Sequence, residues 1–224
     1  TRKESSAASD VYKRQEYCYN AGYQIGTQIT SFGLHTGFSP VLDIWSNPDN
    51  TVIGNRAYGK TSDDVCKYGI ADMLGLKATG AIPVAKHFPG HGDTETDSHY
   101  GLPLVTKTKE ELWQSELLPF KSAIENGVPM IMAAHILCTE LDENYPASMS
   151  KNIITDLLRD EMGFEGVVIT DDLTMGAISE SYSFGDAAVL SINAGCDILS
   201  ICFGKDNVKQ AVKAIKEAVE NGAI

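Results

Sequence analysis

The sequence predicts an α/β protein built as a (β/α)8 barrel of the TIM type, incomplete because its N-terminal strands are missing. Three observations predict it. Short apolar segments alternate with helix-period segments along the chain. Those segments are apolar throughout rather than at every second position, as expected of strands buried on both faces of a parallel sheet. Polar residues cluster where several of these strands end, the face on which barrels build their sites. A doubly wound open sheet fits the first two observations equally well, and the third favours the barrel.

Each element has its own sequence signal. Residues 1–14 are polar and basic, out of character with the rest of the chain, and are expected to be a non-native or disordered extension. The barrel domain is therefore expected to span residues 15–224. Residues 15–31 suit a helix, and a strand is expected at 39–44. Thr61-Ser62-Asp63-Asp64 reads as a helix start, continued to residue 78 by Val65, Tyr68, Met73 and Leu76 at helical spacing. A strand at 81–85 leads into a polar loop. A helix over 107–126 is anchored by Leu112, Leu117, Leu118 and Phe120. A strand at 129–134, a Ser-capped helix at 150–161, a strand at 166–170, a helix at 184–194, a strand at 197–201 and a helix at 205–221 complete the run. With only five such strands, an eight-stranded barrel is incomplete, and the remainder is expected to precede residue 15.

Composition narrows the function. The formal net charge of -12 supplies no basic stripe for neutralising phosphates, which argues against nucleic acid as a partner. Five cysteines are scattered without CxxC spacing, so they read as free thiols and not as a disulfide framework. No apolar run approaches the roughly 20 residues a membrane span needs.

The densest chemistry lies in residues 86–99, Lys-His-Phe-Pro-Gly-His-Gly-Asp-Thr-Glu-Thr-Asp-Ser-His, which hold three of the five histidines. Asp97 and His99 are two apart, so the carboxylate can orient one imidazole nitrogen and leave the other as general acid or base. Asp171 comes directly after the strand at 166–170 and is expected to begin a loop, as either a turn former or a nucleophile at the mouth of the sheet. Asp171 as nucleophile and His99 as proton shuttle would divide the labour as in retaining glycoside hydrolysis. A metal site of His87, His91, Asp93, Asp97 and His99 is the competing arrangement, but their spacings match no familiar zinc pattern. We expect no metal and no cofactor. His91, between two glycines, is expected to fix its loop.

Together the motifs carry a resemblance. Lys86-His87-Phe88-Pro89-Gly90-His91-Gly92, then Asp97-Ser98-His99 and Gly101-Leu102-Pro103, resembles the signature of family 3 glycoside hydrolases of the β-N-acetylhexosaminidase type. Pro40-Val41-Leu42-Asp43, Gly54-Asn55-Arg56-Ala57-Tyr58-Gly59, Met132-Ala133-Ala134-His135-Ile136 and Thr170-Asp171-Asp172-Leu173-Thr174-Met175 are similar to further blocks of that family, in order.

The resemblance implies a retaining enzyme that removes terminal β-linked N-acetylglucosamine from a carbohydrate substrate. It implies Asp171 as nucleophile, His99 as acid/base and Asp97 as its partner. Arg56, Lys86 and His87 would hold the sugar. Asp43 and His135 are expected either to support the site or to touch substrate. The family's opening Asp-x-Glu-Gly-Gly stretch has no match in residues 1–40, in line with an incomplete barrel. Phosphate as acceptor in place of water, a β-glucosidase, and a non-catalytic sugar-binding fragment are the alternatives. The Asp97–His99 pair argues against the β-glucosidase.

Overall fold

In the computed structural model, residues 2–94 and 101–224 are described, with side chains from Asp10 onward. Helix α1 spans Arg2–Ser31, and Gly33 turns the chain into the two-residue strand β1, Thr36–Gly37. Residues 38–42 continue beside the next strand in a looser way. Leu42 N–H donates to Lys86 O, and Lys86 N–H donates to Pro40 O. Pro40 has no N–H to give in return, so regular pairing stops short of the expected 39–44 strand.

Helix α2, Ser62–Ala78, starts where expected: Thr61 Oγ1 accepts from Asp64 N. Strand β2, Ile82–Phe88, is longer than expected and takes in Lys86 and His87. After residues 89–103 comes β3, Leu104–Val105. The helix expected over 107–126 is broken into α3, Lys109–Gln114, and α4, Leu117–Glu125. The break sets Glu116, 2% exposed, against Lys107. Strands β4, Met130–Ala133, and β5, Leu137–Cys138, come next. Residues Asn152–Glu161 form a helix of wide, π-type pitch, in which Met162 N donates five residues back to Leu157 O. Strand β6, Val167–Asp172, then α5, Gly176–Ser179, α6, Phe184–Ala194, β7, Ile198–Ser200, and α7, Lys205–Glu220, complete the chain.

The main sheet is wholly parallel, in the order β1-β2-β4-β6-β7, and β3 and β5 form a second parallel pair. Consecutive neighbours joined through helices give the curled arc of a (β/α)8-type barrel. One face of the sheet packs against the helices through Ala85, Phe88, Ile131 and Val168, with Phe88 and Phe120 edge-to-face at 5.2 Å. The other, inner face carries Val84, Met130, Met132 and Ile169. Of the four residues expected to anchor the 107–126 helix, Leu112, Leu117 and Phe120 are buried, whereas Leu118 is exposed. Helices α1 and α2 meet at glycines. A Cβ on Gly22 would run into the Asp72 carbonyl, and one on Gly75 into the Tyr19 carbonyl. Among the described residues, no helix is long and apolar enough to cross a membrane.

Candidate active site

Pleat alternation brings two of the expected residues to one place. Side chains two apart on a strand share a face. Val84 lies on the inner face, so Lys86 projects there. Ile169 does too, and Asp171 with it. Asp171 is therefore inside β6 and not in the loop after it. Its carboxylate is half-buried, and its Oδ1 accepts from Asp172 N at 2.8 Å. Lys86, also half-buried, passes over the Phe38 ring at 5.7 Å. Burial lowers the Lys86 pKa. Asp171 opposes that shift most strongly, Arg56 adds to it, and Asp43 opposes it. Lys86 therefore lies within the electrostatic reach of both Asp171 and Arg56. Arg56 sits on a short 3-10 turn, Gly54–Arg56, exposed, with Nε and Nη2 both donating to Val52 O.

His87 points elsewhere than Lys86 and is 6% exposed. Its Nδ1 lies 2.7 Å from Asp43 Oδ2, and its backbone N–H reaches both oxygens of Asp43 at 3.2 Å. His91 N–H donates to Asp43 Oδ1 at 2.7 Å. Burial alone would raise the Asp43 pKa, but the charge and hydrogen bond of His87, joined by His91, overcome it, and the pKa is lowered. Asp43 is thus the anchor that holds the His87 ring and the His91 backbone.

The segment from Pro89 is fixed from below. Gly90 has φ +133 and faces Glu116. A Cβ on Gly92 would run into the Ile44 carbonyl. Asn50, 2% exposed, donates from Nδ2 to His91 O and Thr94 O. His91 Nδ1 lies 2.8 Å from Thr94 Oγ1, in keeping with its expected loop-fixing part. Asp93 accepts from Ser46 Oγ at 2.9 Å and pairs with Lys107 at 2.8 Å, while Lys107 also reaches Glu116 at 2.6 Å. Asp97 and His99 lie outside the described residues. Among the described residues, no three His, Cys, Asp or Glu side chains are grouped to hold a metal ion.

His135 lies just beyond β4 and is 1% exposed. Its Nε2 lies 3.1 Å from the Asp172 carbonyl and its Nδ1 2.7 Å from Ser148 Oγ. A carbonyl can only accept, so Nε2 carries the proton and Nδ1 accepts from the Ser148 hydroxyl. Burial lowers the His135 pKa against the pull of Asp171 and Asp172. Asp172 is held on its other side as well. Its Oδ1 accepts from Cys202 N and Thr174 N at 3.0 Å, and its Oδ2 accepts from Thr174 Oγ1 at 2.6 Å. Sequence reading missed Asn50, Lys107, Glu116, Ser148 and the support given by Asp172. Only Asp172 carried a signal, as the second acid of an Asp-Asp pair.

A curled parallel sheet, with a carboxylate and a lysine on its inner face at the C-terminal strand ends, defines an enzyme-type barrel site. The chain matches the glycosyl hydrolase family 3 N-terminal domain over residues 5–224. It is 40% identical over 194 residues to beta-hexosaminidase A of Pseudoalteromonas piscicida, covering 81% of this chain and 32% of that protein. It is 36% identical over 201 residues to the beta-hexosaminidase of Methylococcus capsulatus, covering 90% of this chain and 58% of that one. The structure of a family 3 beta-N-acetylglucosaminidase from Paenibacillus sp. FPU-7 superposes with a TM-score of 0.92 at 42% identity, covering 94% of this chain and 40% of that one. The chain thus spans about a third to three fifths of these relatives' lengths. It belongs to glycoside hydrolase family 3.

Proposed function

We propose that the protein is a retaining exo-β-N-acetylglucosaminidase, acting on terminal β-linked N-acetylglucosamine of peptidoglycan-derived muropeptides or related glycosides. The names borne by its relatives support the sugar. The observation that carries the reading is the Asp171 carboxylate on the inner face, beside Lys86 and at the strand tips.

In this reading Asp171 attacks the anomeric carbon while His99, oriented by Asp97, donates a proton to the departing glycosidic oxygen. A glycosyl ester to Asp171 forms as the glycosidic bond breaks. His99, now neutral, takes a proton from water, whose oxygen attacks the same carbon and frees Asp171. Arg56, Lys86 and His87 hold hydroxyl and acetamido oxygens of the sugar as donors.

The test is release of chromophore from aryl β-N-acetylglucosaminide and aryl β-glucoside by the full-length protein, with and without phosphate. Turnover of the acetamido sugar alone is expected. Asp171→Ala should lose on the order of 10³-fold or more in kcat, about 4 kcal/mol of barrier. Full activity in that variant overturns the assignment, and sugar-1-phosphate as product replaces hydrolysis by phosphorolysis.

A further inference from the structure

The geometry points to His135 as a positioning residue for the Asp171 carboxylate, acting through the Asp172 peptide with Ser148 as its orienting partner. The inference rests on the proposed role of Asp171 and adds to it.

The chain of contacts is short. Asp171 Oδ1 takes its hydrogen bond from Asp172 N–H at 2.8 Å, so the placing of Asp172 decides where that oxygen lies. Asp172 is gripped from both neighbouring strands. From the β4 side His135 Nε2–H holds its carbonyl at 3.1 Å, and from the β7 side Cys202 N–H holds its carboxylate at 3.0 Å. Between β6 and β7 the register shifts between Ile169 and Asp172, and pairing resumes at the tip, where Leu173 N–H donates to Ser200 O at 2.9 Å. The side-chain bonds to Asp172 add to that pairing beside the irregularity.

Two features make His135 more than filler. Its imidazole is 1% exposed and both ring nitrogens are engaged, so a shape-matched apolar ring would strip the Ser148 hydroxyl of its partner and the Asp172 carbonyl of its cross-strand donor, leaving that carbonyl only the local Met175 N–H at 3.0 Å. The carbonyl requires the proton on Nε2, and Ser148, fully buried, donates to the Nδ1 lone pair this leaves and so holds the ring in place. Buried and neutral, His135 adds no cation beneath the nucleophile that would weaken its attack.

The experiment compares His135→Phe, His135→Gln and Ser148→Ala with wild type in the full-length protein, well below the melting temperature and normalised to folded protein by circular dichroism. The substrates are aryl β-N-acetylglucosaminides with a good leaving group, 2,4-dinitrophenyl, and a poor one, 4-methoxyphenyl. A displaced nucleophile slows attack whatever the leaving group, so His135→Phe should lower kcat/KM roughly 10- to 100-fold on both alike. KM should stay within about threefold, because the sugar-holding groups are untouched. His135→Gln, whose Nε2 can still donate and whose oxygen can still accept, should restore most of the rate. Ser148→Ala should fall between them. His135→Phe with the wild-type rate overturns the inference alone, as does a loss confined to the poor leaving group, which would mark a lesion in proton donation. An inactive wild-type protein overturns it together with the proposed function.

Discussion

Asp43, fully buried, joins His87 to His91: one carboxylate oxygen lies 2.7 Å from His87 Nδ1 and the other 2.7 Å from His91 N. A carboxylate withdrawn from water survives only when its oxygens are saturated with donors, and these two residues saturate it. Asp43→Ala should therefore cost about 3–5 kcal/mol of stability. Because its pKa is lowered in the fold, the carboxylate's contribution is present above the unfolded value of about 3.9 and is lost as pH falls through the lower, folded value. Acid melts monitored by circular dichroism should show a steeper loss below about pH 4 for wild type than for Asp43→Asn.

His135 should add a second, milder acid dependence. Its pKa is lowered, by burial first and against Asp171 and Asp172, so the unfolded chain takes up a proton that the folded chain refuses. Stability from its neutrality is complete above about pH 6.5 and declines as pH falls toward the folded value. His135→Gln should flatten the melting-temperature curve on the acid side of about pH 6.5. An unchanged slope would mean that His135 does not titrate with unfolding.

Lys86 faces the site as a cation that burial makes costly, set near Asp171. A charge-assisted hydrogen bond to a sugar oxygen contributes about 1.5–3 kcal/mol, so Lys86→Met should lower kcat/KM roughly 10- to 100-fold. Lys86→Arg should recover little, since a planar fork cannot occupy the point position of an ammonium. Steady-state kinetics on the aryl acetamido substrate decide this.

Glu116 is 2% exposed, and its charge is met by Lys107 Nζ and the Ser115 hydroxyl. Lys107→Met should destabilise by about 3 kcal/mol, because it strands a buried carboxylate. The double variant Lys107→Met/Glu116→Leu should recover most of that, as replacing a buried pair by apolar groups is often nearly neutral. Urea unfolding of the two variants separates the pair's net worth from the cost of orphaning one member.

The strand and helix order was legible in the sequence because it arises from apolar runs and caps: Thr61 caps α2 as expected, and the runs around Val84, Met132 and Val168 are strands. Strand ends were not. Lys86, His87, Asp171 and Asp172 are polar, so they read as loop, yet β2 and β6 run through them, because the inner mouth of the sheet accepts Lys86 and Asp171 while Asp43 partners His87 and Thr174 and Cys202 partner Asp172. The small β3–β5 sheet rests on two residues from each strand, too few to register as a pattern. The residues proposed to face the sugar were legible as motifs. Those that hold them in place, Asn50, Ser148 and Lys107, come from distant stretches and acquire meaning only through contacts made in three dimensions.

The glycine pairings between the first two helices carry a consequence for α1. Where Gly22 lies on the Asp72 carbonyl and Gly75 on the Tyr19 carbonyl, backbone touches backbone with no side chain between. Sliding α1 by a single position would drive Ala21 or Tyr23 into a gap with no room for a methyl group. The phase of that long helix is thus keyed to one setting, and an inserted or deleted residue after Gly26 must be absorbed at the Gly33 turn. The first edge strand inherits its alignment from two hydrogen atoms.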